Sequence, residues 1–119
     1  MKYCKDVIDG PDGDNESLRP NQIIAVSIYH SPLDLPQQRD IVDVCTSKLL
    51  TPYSLRSLAP STQTGNPNPD YVGSYGGNRK ERDAAYLQGT VWGWLIGPFI
   101  RAHLRAYNDP LTAKSFLLR

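Results

Sequence analysis

Arg19, Asn21 and Gln22 stand around Pro20 at the head of an apolar run. Together they bring a forked guanidinium and two amides to one helix N-terminus. Such groups suit sugar hydroxyls, each of which both donates and accepts a hydrogen bond. They suit a structural role equally well, with Arg19 paired to a carboxylate of the preceding loop and the amides capping the helix. A second concentration of chemistry lies downstream, where Tyr71, Tyr75, Tyr86, Trp92 and Trp94 are interleaved with Asp70, Arg82, Asp83 and Gln88. An aromatic ring has an apolar face and a polar rim, which matches the C–H face and hydroxyl edge of a pyranose. Tyr86 and Gln88 fall at a loop-to-helix junction and are the stronger site residues, with Tyr71 in the loop before them. Trp92 is a sugar contact or, like Trp94, a core residue, because the helix that carries them must bury one face.

Other chemistries fit less well. Asp12, Asp14 and Glu16 alternate as the first ligands of a calcium loop do, but Ser17 occupies the glycine position and Ile23 that of the bidentate glutamate. A polar capping turn is the better reading. Cys4 and Cys45 lack the paired spacing of a zinc or redox motif and read as free thiols, while His30 and His103 have no ligand-spaced partners, so no metal or cofactor is expected. Thirteen basic against twelve acidic side chains leave a net charge of +1, with no like-charged block to follow phosphates, which argues against nucleic acid. No apolar run approaches the roughly 20 residues of a membrane span, and the charged start MKYCKDVID is unlike a signal peptide. A soluble, cytoplasmic chain without membrane contact is the expectation.

The elements that must position these groups are read from punctuation and periodicity. The segment DGPDGDN, Asp9 to Asn15, forbids regular structure and reads as a turning loop. The segment from Ala59 to Arg79 is rich in proline and glycine yet carries Tyr71 and Tyr75, which a plain linker rarely does. Asp34 to Leu50 predicts a helix, with Ile41, Val44, Cys45 and Leu49 on one face, Asp34 as its cap and Pro52 beyond its end. The strongest predicted helix runs from about Gln88 to Tyr107. Trp92, Leu95, Ile96, Phe99, Ile100, Leu104 and Tyr107 form its stripe opposite Arg101 and Arg105, and Gly93, Gly97 and Pro98 weaken it. Asp109 caps a last helix from Pro110, with Leu111, Phe116, Leu117 and Leu118 as its apolar set. The run Gln22 to Tyr29 has the β-branched composition of a strand, but no second β-rich run exists to pair with it, so a helix is predicted there too.

Five stretches carry a resemblance over about residues 6 to 107: SLRPNQIIAVS, SPL, LLTPYSLRSLAP, YVGSYGG and RDAAYLQGTVWGWLIGPFIRAHLR. In this order they are similar to the motifs of the bacterial and archaeal glycogen debranching enzyme family, in the C-terminal part of its glucosidase domain. The resemblance implies an all-α fold, a partial (α/α)6 toroid of helical hairpins with long loops at one end. It implies hydrolysis of the α-1,6-linked glucose at a glycogen branch, by one acid and one water-activating carboxylate, without a cofactor. Within the best-matched motif Asp83, beside Arg82 and Tyr86, is the carboxylate expected to act, against an ion pair or helix cap as its structural role.

Departures narrow this reading. Leu87 stands where the family commonly has histidine, Gly93 where it has proline between two tryptophans, and Ser54 where glycine is common. Val91 occupies the position proposed for a catalytic glutamate in the eukaryotic branch, and valine cannot be a base. Residues 1–119 therefore read as one partial domain that contributes sugar contacts, with further carboxylates expected outside it and no hydrolysis expected from the chain alone. An inactive carbohydrate-binding module or a helical interaction module is the alternative. Glycogen or an α-glucan oligosaccharide is the expected partner. A second copy, or barrel segments on another chain, is expected to cover apolar helix faces left in water.

Overall fold

The computed structural model describes residues 3–11, 13–61, 67–68, 70–73, 78–86 and 88–118, and the side chains of all of these except Val7, Asp83, Ala84, Ala85 and Leu118. Asp12, Tyr75 and Leu87 lie outside the described residues. The elements in order are β1 (Val7–Gly10), β2 (Gly13–Asn15), α1 (Asn21–Ser27), α2 (Leu35–Lys48), β3 (Leu55–Arg56), α3 (Arg79–Tyr86), β4 (Val91–Trp92), α4 (Ile96–Tyr107) and α5 (Pro110–Ser115). Single 3-10 turns precede α4 at Gly93–Leu95 and follow α5 at Phe116–Leu118.

Three helices make the core. Ile23 and Val26 of α1, Ile41, Val42 and Cys45 of α2, and Phe99, Ala102 and Ala106 of α4 are fully or almost fully buried together, with Leu49, Leu55 and Leu95 closing the cluster. The helical reading of residues 22–29 holds over Asn21–Ser27. Spacing decides it: residues three and four apart share one helix face, so Ile23, Val26 and Ser27 turn inward while Ile24 and Ile28 stay exposed.

α2 agrees with its predicted span. Asp34 Oδ1 accepts from Gln37 N at 2.8 Å and Gln37 Oε1 accepts from Asp34 N at 3.1 Å, a reciprocal capping box. The helix ends before Pro52, where the Thr51 hydroxyl closes a turn by donating to Ser54 O at 2.8 Å.

α1 and α4 run the same way and α2 runs against both. Arg19 before α1 bonds Gln88 ahead of α4, and the Ser27 carbonyl at the end of α1 accepts from Arg105 near the end of α4. Arg39, early in α2, donates to Ala106 O at 2.8 Å, and Tyr107 donates to Asp43 Oδ1 at 2.5 Å. The guanidinium of Arg39 also lies over the Tyr107 ring, 5.4 Å from its centroid. Burial and the Asp43 carboxylate push the Tyr107 phenol up to about 12.

The all-α expectation needs correction, because two small antiparallel ladders accompany the helices. In the first, the predicted loop from Asp9 to Asn15 is mostly hairpin: Val7 pairs with Asn15 and Gly10 with Gly13. Asp9 (φ 56°) and Gly13 (φ 86°) take left-handed backbone there. Asp14 does not face a cation site. Its Oδ1 accepts from Asp9 N at 3.0 Å and its Oδ2 from Lys5 Nζ at 2.7 Å. That bond holds the Asp14 carboxyl below its ordinary range and the Lys5 ammonium above its own.

The second ladder cuts into the longest predicted helix. Leu55 pairs with Trp92 and Arg56 with Val91, so residues 88–92 are turn and strand and α4 begins only at Ile96. Gly89, at φ 127°, cannot continue a helix, and the short β3 offers Val91 and Trp92 a partner that their own run does not reveal. The apolar stripe is correspondingly rotated: Phe99, Ala102, His103 and Ala106 are buried, whereas Leu104 is partly exposed.

The last helix starts at Pro110, and Asp109 caps it by accepting from Thr112 N at 3.2 Å, as predicted. Its buried set differs, since Leu111 is 83% exposed while Ala113 and Phe116 turn inward. α3 lies beyond the predicted 59–79 loop, where no helix was expected. Asn78 and Glu81 form its capping box: Glu81 N donates to Asn78 Oδ1 at 2.9 Å, and Asn78 N donates to Glu81 Oε2 at 3.3 Å. No described helix is long and apolar enough to cross a membrane.

Candidate functional site

The shared end of α1 and α4 gathers most of the residues singled out by chemistry. Arg19 is the hub. Its Nε donates to Asp6 Oδ2 at 3.0 Å, its Nη1 reaches Ser57 O at 3.4 Å, and its Nη2 donates to Gln88 Oε1 at 3.1 Å. A guanidinium held at three of its nitrogens is fixed in plane and direction. Ser57 ties the same corner from the other side, because its hydroxyl accepts from Gly89 N at 3.0 Å and its own N–H donates to Thr90 O at 2.9 Å.

Gln22 is committed to structure. Its Nε2 donates to Arg19 O at 3.0 Å, its Oε1 accepts from Cys4 N at 2.9 Å, and the side chain is buried. It therefore orients the backbone that carries Arg19. Asn21 is exposed at the rim of a cleft of about 250 Å³ whose wall includes Lys5, Asp6, Ser17 and Arg19. Of the two roles open to this cluster in the sequence, pairing with a carboxylate is realised. The carboxylate is Asp6, which precedes the acidic loop, and α1 has no side-chain cap.

Tyr71 joins through the backbone. Val72 N–H donates to Gln88 O, and the Tyr71 ring packs against Gly89. A Cβ on Gly89 would fall 2.5 Å from Tyr71 Cε2 and 2.7 Å from the Val72 carbonyl oxygen, so only glycine lets these strands of chain meet. Tyr71, Gln88 and Arg19 thus come to one corner from three separate parts of the sequence.

Beside this corner runs a row of rings. Tyr86 and Trp92 have centroids 5.2 Å apart, and Trp92 and Trp94 are stacked at 5.8 Å with planes 18° apart. Trp92 Nε1 donates to the Tyr86 carbonyl at 3.0 Å, and Ser54 Oγ donates to the Trp92 carbonyl at 2.7 Å. Trp92 is half-buried against the core, as one of its two readings had it. Trp94 is not a core residue. It is 57% exposed and Tyr86 48%, so the row presents open aromatic surface.

Asp83 lies on α3, and its side chain falls outside the described residues. Asp6 and Ser57 are site residues that the sequence does not single out, whereas Ser54 is marked there only as a departure from the resembled motif and Trp94 only as a core residue. Nothing local links Asp6 to Arg19, thirteen positions away. Ser57 lies in the LLTPYSLRSLAP motif without any charge to mark it. Among the described residues no cluster of three or more His, Cys, Asp or Glu side chains is placed to hold a metal ion.

Comparison with known proteins gives one result at the level of families: the family described as amylo-alpha-1,6-glucosidase matches residues 1–118. No curated protein and no solved structure matches the chain. The match takes in the Arg19 corner and the aromatic row alike, and by it the chain belongs to the glycogen debranching enzyme family, as a C-terminal part of the amylo-alpha-1,6-glucosidase region.

Proposed function

We propose that this chain supplies glucan contacts to an α-1,6-glucosidase acting on glycogen branches in the cytoplasm, with the Arg19 corner and the Tyr86–Trp92–Trp94 row as its contact surface. The observation that carries the reading is that Gln88, whose amide meets the fixed guanidinium, lies in the short segment between Tyr86 and Trp92, and the Trp92 indole of the open row closes that segment by donating to the Tyr86 carbonyl. Binding a pyranose needs both. Rings take the apolar face, and directional donors and acceptors take the hydroxyls. Antiparallel packing of α2 against α1 and α4 suits a hairpin of an (α/α)6 toroid, with this surface at its loop-bearing end.

Hydrolysis with inversion needs two carboxylates on opposite faces of the scissile bond, roughly 6.5–9.5 Å apart. The described carboxylate at the cleft, Asp6, is engaged by Arg19, which suits positioning rather than proton transfer. Asp83 remains the proposed reacting carboxylate on this chain. For the 119-residue chain alone we expect sugar binding without release of glucose from a limit dextrin.

Calorimetric titration with maltoheptaose tests the reading. Arg19→Ala removes the hub and is expected to weaken binding roughly tenfold, equivalent to about 1.4 kcal/mol. Equal affinity in the wild type and in a folded Arg19→Ala variant would remove the corner from the binding surface.

A further inference from the structure

At the opposite end of α1 and α4 lies a second cleft, of about 360 Å³, lined by Ile28, Tyr29, His30, Ser31, Gln38 and Arg105. It shares no lining residue with the first cleft, and most of α4, about 18 Å long at 1.5 Å per residue, runs between Arg105 and Trp94. Tyr29 is 80% exposed, an unusual position for a ring held so firmly. The Arg105 guanidinium sits over one face at 5.5 Å from the ring centroid, and His30 meets the ring edge-on, with centroids 4.7 Å apart and planes 86° apart. The ring is braced from behind and from the side, which leaves a face toward solvent.

The polar groups around it are half used. Arg105 Nε donates to Ser27 O at 2.9 Å, and its two η nitrogens make no hydrogen bond among the described residues. Gln38 Nε2 donates to Leu33 O at 2.8 Å, which fixes the amide and leaves its Oε1 as a free acceptor among the described residues. Fixed donors, a fixed acceptor and a braced ring are the complement of a sugar. An anion fits less well, because the amide oxygen would face it beside a single guanidinium.

We propose that this cleft is a second glucan-binding site, which holds an outer chain of the same branched polymer while the Arg19 corner engages another. The proposal rests on the glucan reading above for the identity of the polymer. Two separated sites on one small unit suit a branched ligand, because a second contact on a tethered chain adds avidity without new chemistry at the first.

NMR titration of the isotopically labelled 119-residue chain with maltoheptaose tests it. The Tyr29 ring, the Gln38 amide and Arg105 Nε–H report on this cleft, and the indole N–H groups of Trp92 and Trp94 report on the other surface. Saturable shifts are expected in both groups, with Tyr29→Ala abolishing those at Gln38 and Arg105 and leaving the indole shifts unchanged. Tyr29 is so exposed that its truncation leaves the core intact. Indole shifts with stationary Tyr29, Gln38 and Arg105 signals overturn the second site alone. Shifts at Tyr29 without indole shifts uphold this cleft and sink the reading of the aromatic row. Inorganic phosphate moving the cleft signals where sugar does not makes it an anion site and overturns the proposal.

Discussion

Gly89 shows how much of the candidate site depends on one atom being absent. Its backbone at φ 127° lies where L side chains are strained, and its missing Cβ leaves room for Tyr71 and the Val72 carbonyl. The glycine also donates its N–H to Ser57 Oγ and directly follows Gln88, whose amide meets Arg19. Gly89→Ala is therefore expected to cost about 1–3 kcal/mol in urea denaturation and to displace Gln88. A loss of only a few tenths would mean that the Tyr71–Gly89 contact is slack. Ser54 bears on the aromatic row in the same way. Its hydroxyl, on a fully buried side chain, holds the Trp92 carbonyl at 2.7 Å, so serine there helps to seat the aromatic row.

Among the elements, α4 and the 3-10 turn after α5 meet around a buried histidine. His103 is 8% exposed, with the rings of Phe99, Tyr107 and Phe116 at centroid distances of 6.4, 5.2 and 5.3 Å. Its Nδ1 has no hydrogen-bond partner among the described residues. Burial lowers its pKa from the ordinary 6.5, against weaker upward pulls from Asp109 and Asp43. The unfolded chain therefore binds a proton more readily than the folded one. Stability that His103 contributes is present above pH 6.5 and is lost as pH falls from there through the folded value. The urea midpoint is expected to decline over that interval, with a flatter decline in His103→Leu. Parallel pH profiles for the two proteins would contradict this.

The same scale shows what sequence could and could not reveal. α2 and α5 were legible because Asp34, Gln37, Asp109 and Pro110 are local signals that act within one turn. α1 was legible by elimination, and its buried face bears it out. β4 was hidden because its partner, Leu55–Arg56, is only two residues long and lies in a distant part of the chain, so periodicity around Trp92 extended the helix too far. α3 is hidden although Asn78 and Glu81 spell a capping box, because the proline- and glycine-rich run before them carries the signals of a loop. The candidate site divides in the same way. Arg19, Gln88, Tyr71, Tyr86 and Trp92 could be singled out by type, whereas the roles of Asp6, Ser57 and Gln22 exist only once distant segments meet.

At the scale of the whole molecule, three helices packed with α2 antiparallel to its neighbours carry one surface at each end. The end at which α1 and α4 begin holds the fixed guanidinium and the open row of rings, and the family match spans both. That surface is the centre of the account, and the chain's only two tryptophans lie in it. Tryptophan fluorescence during titration with maltoheptaose is thus the most direct test. The account predicts a saturable change at millimolar sugar that Trp94→Ala, an exposed substitution, greatly weakens. Unchanged fluorescence up to saturating sugar, or a response that survives intact in Trp94→Ala, would contradict it.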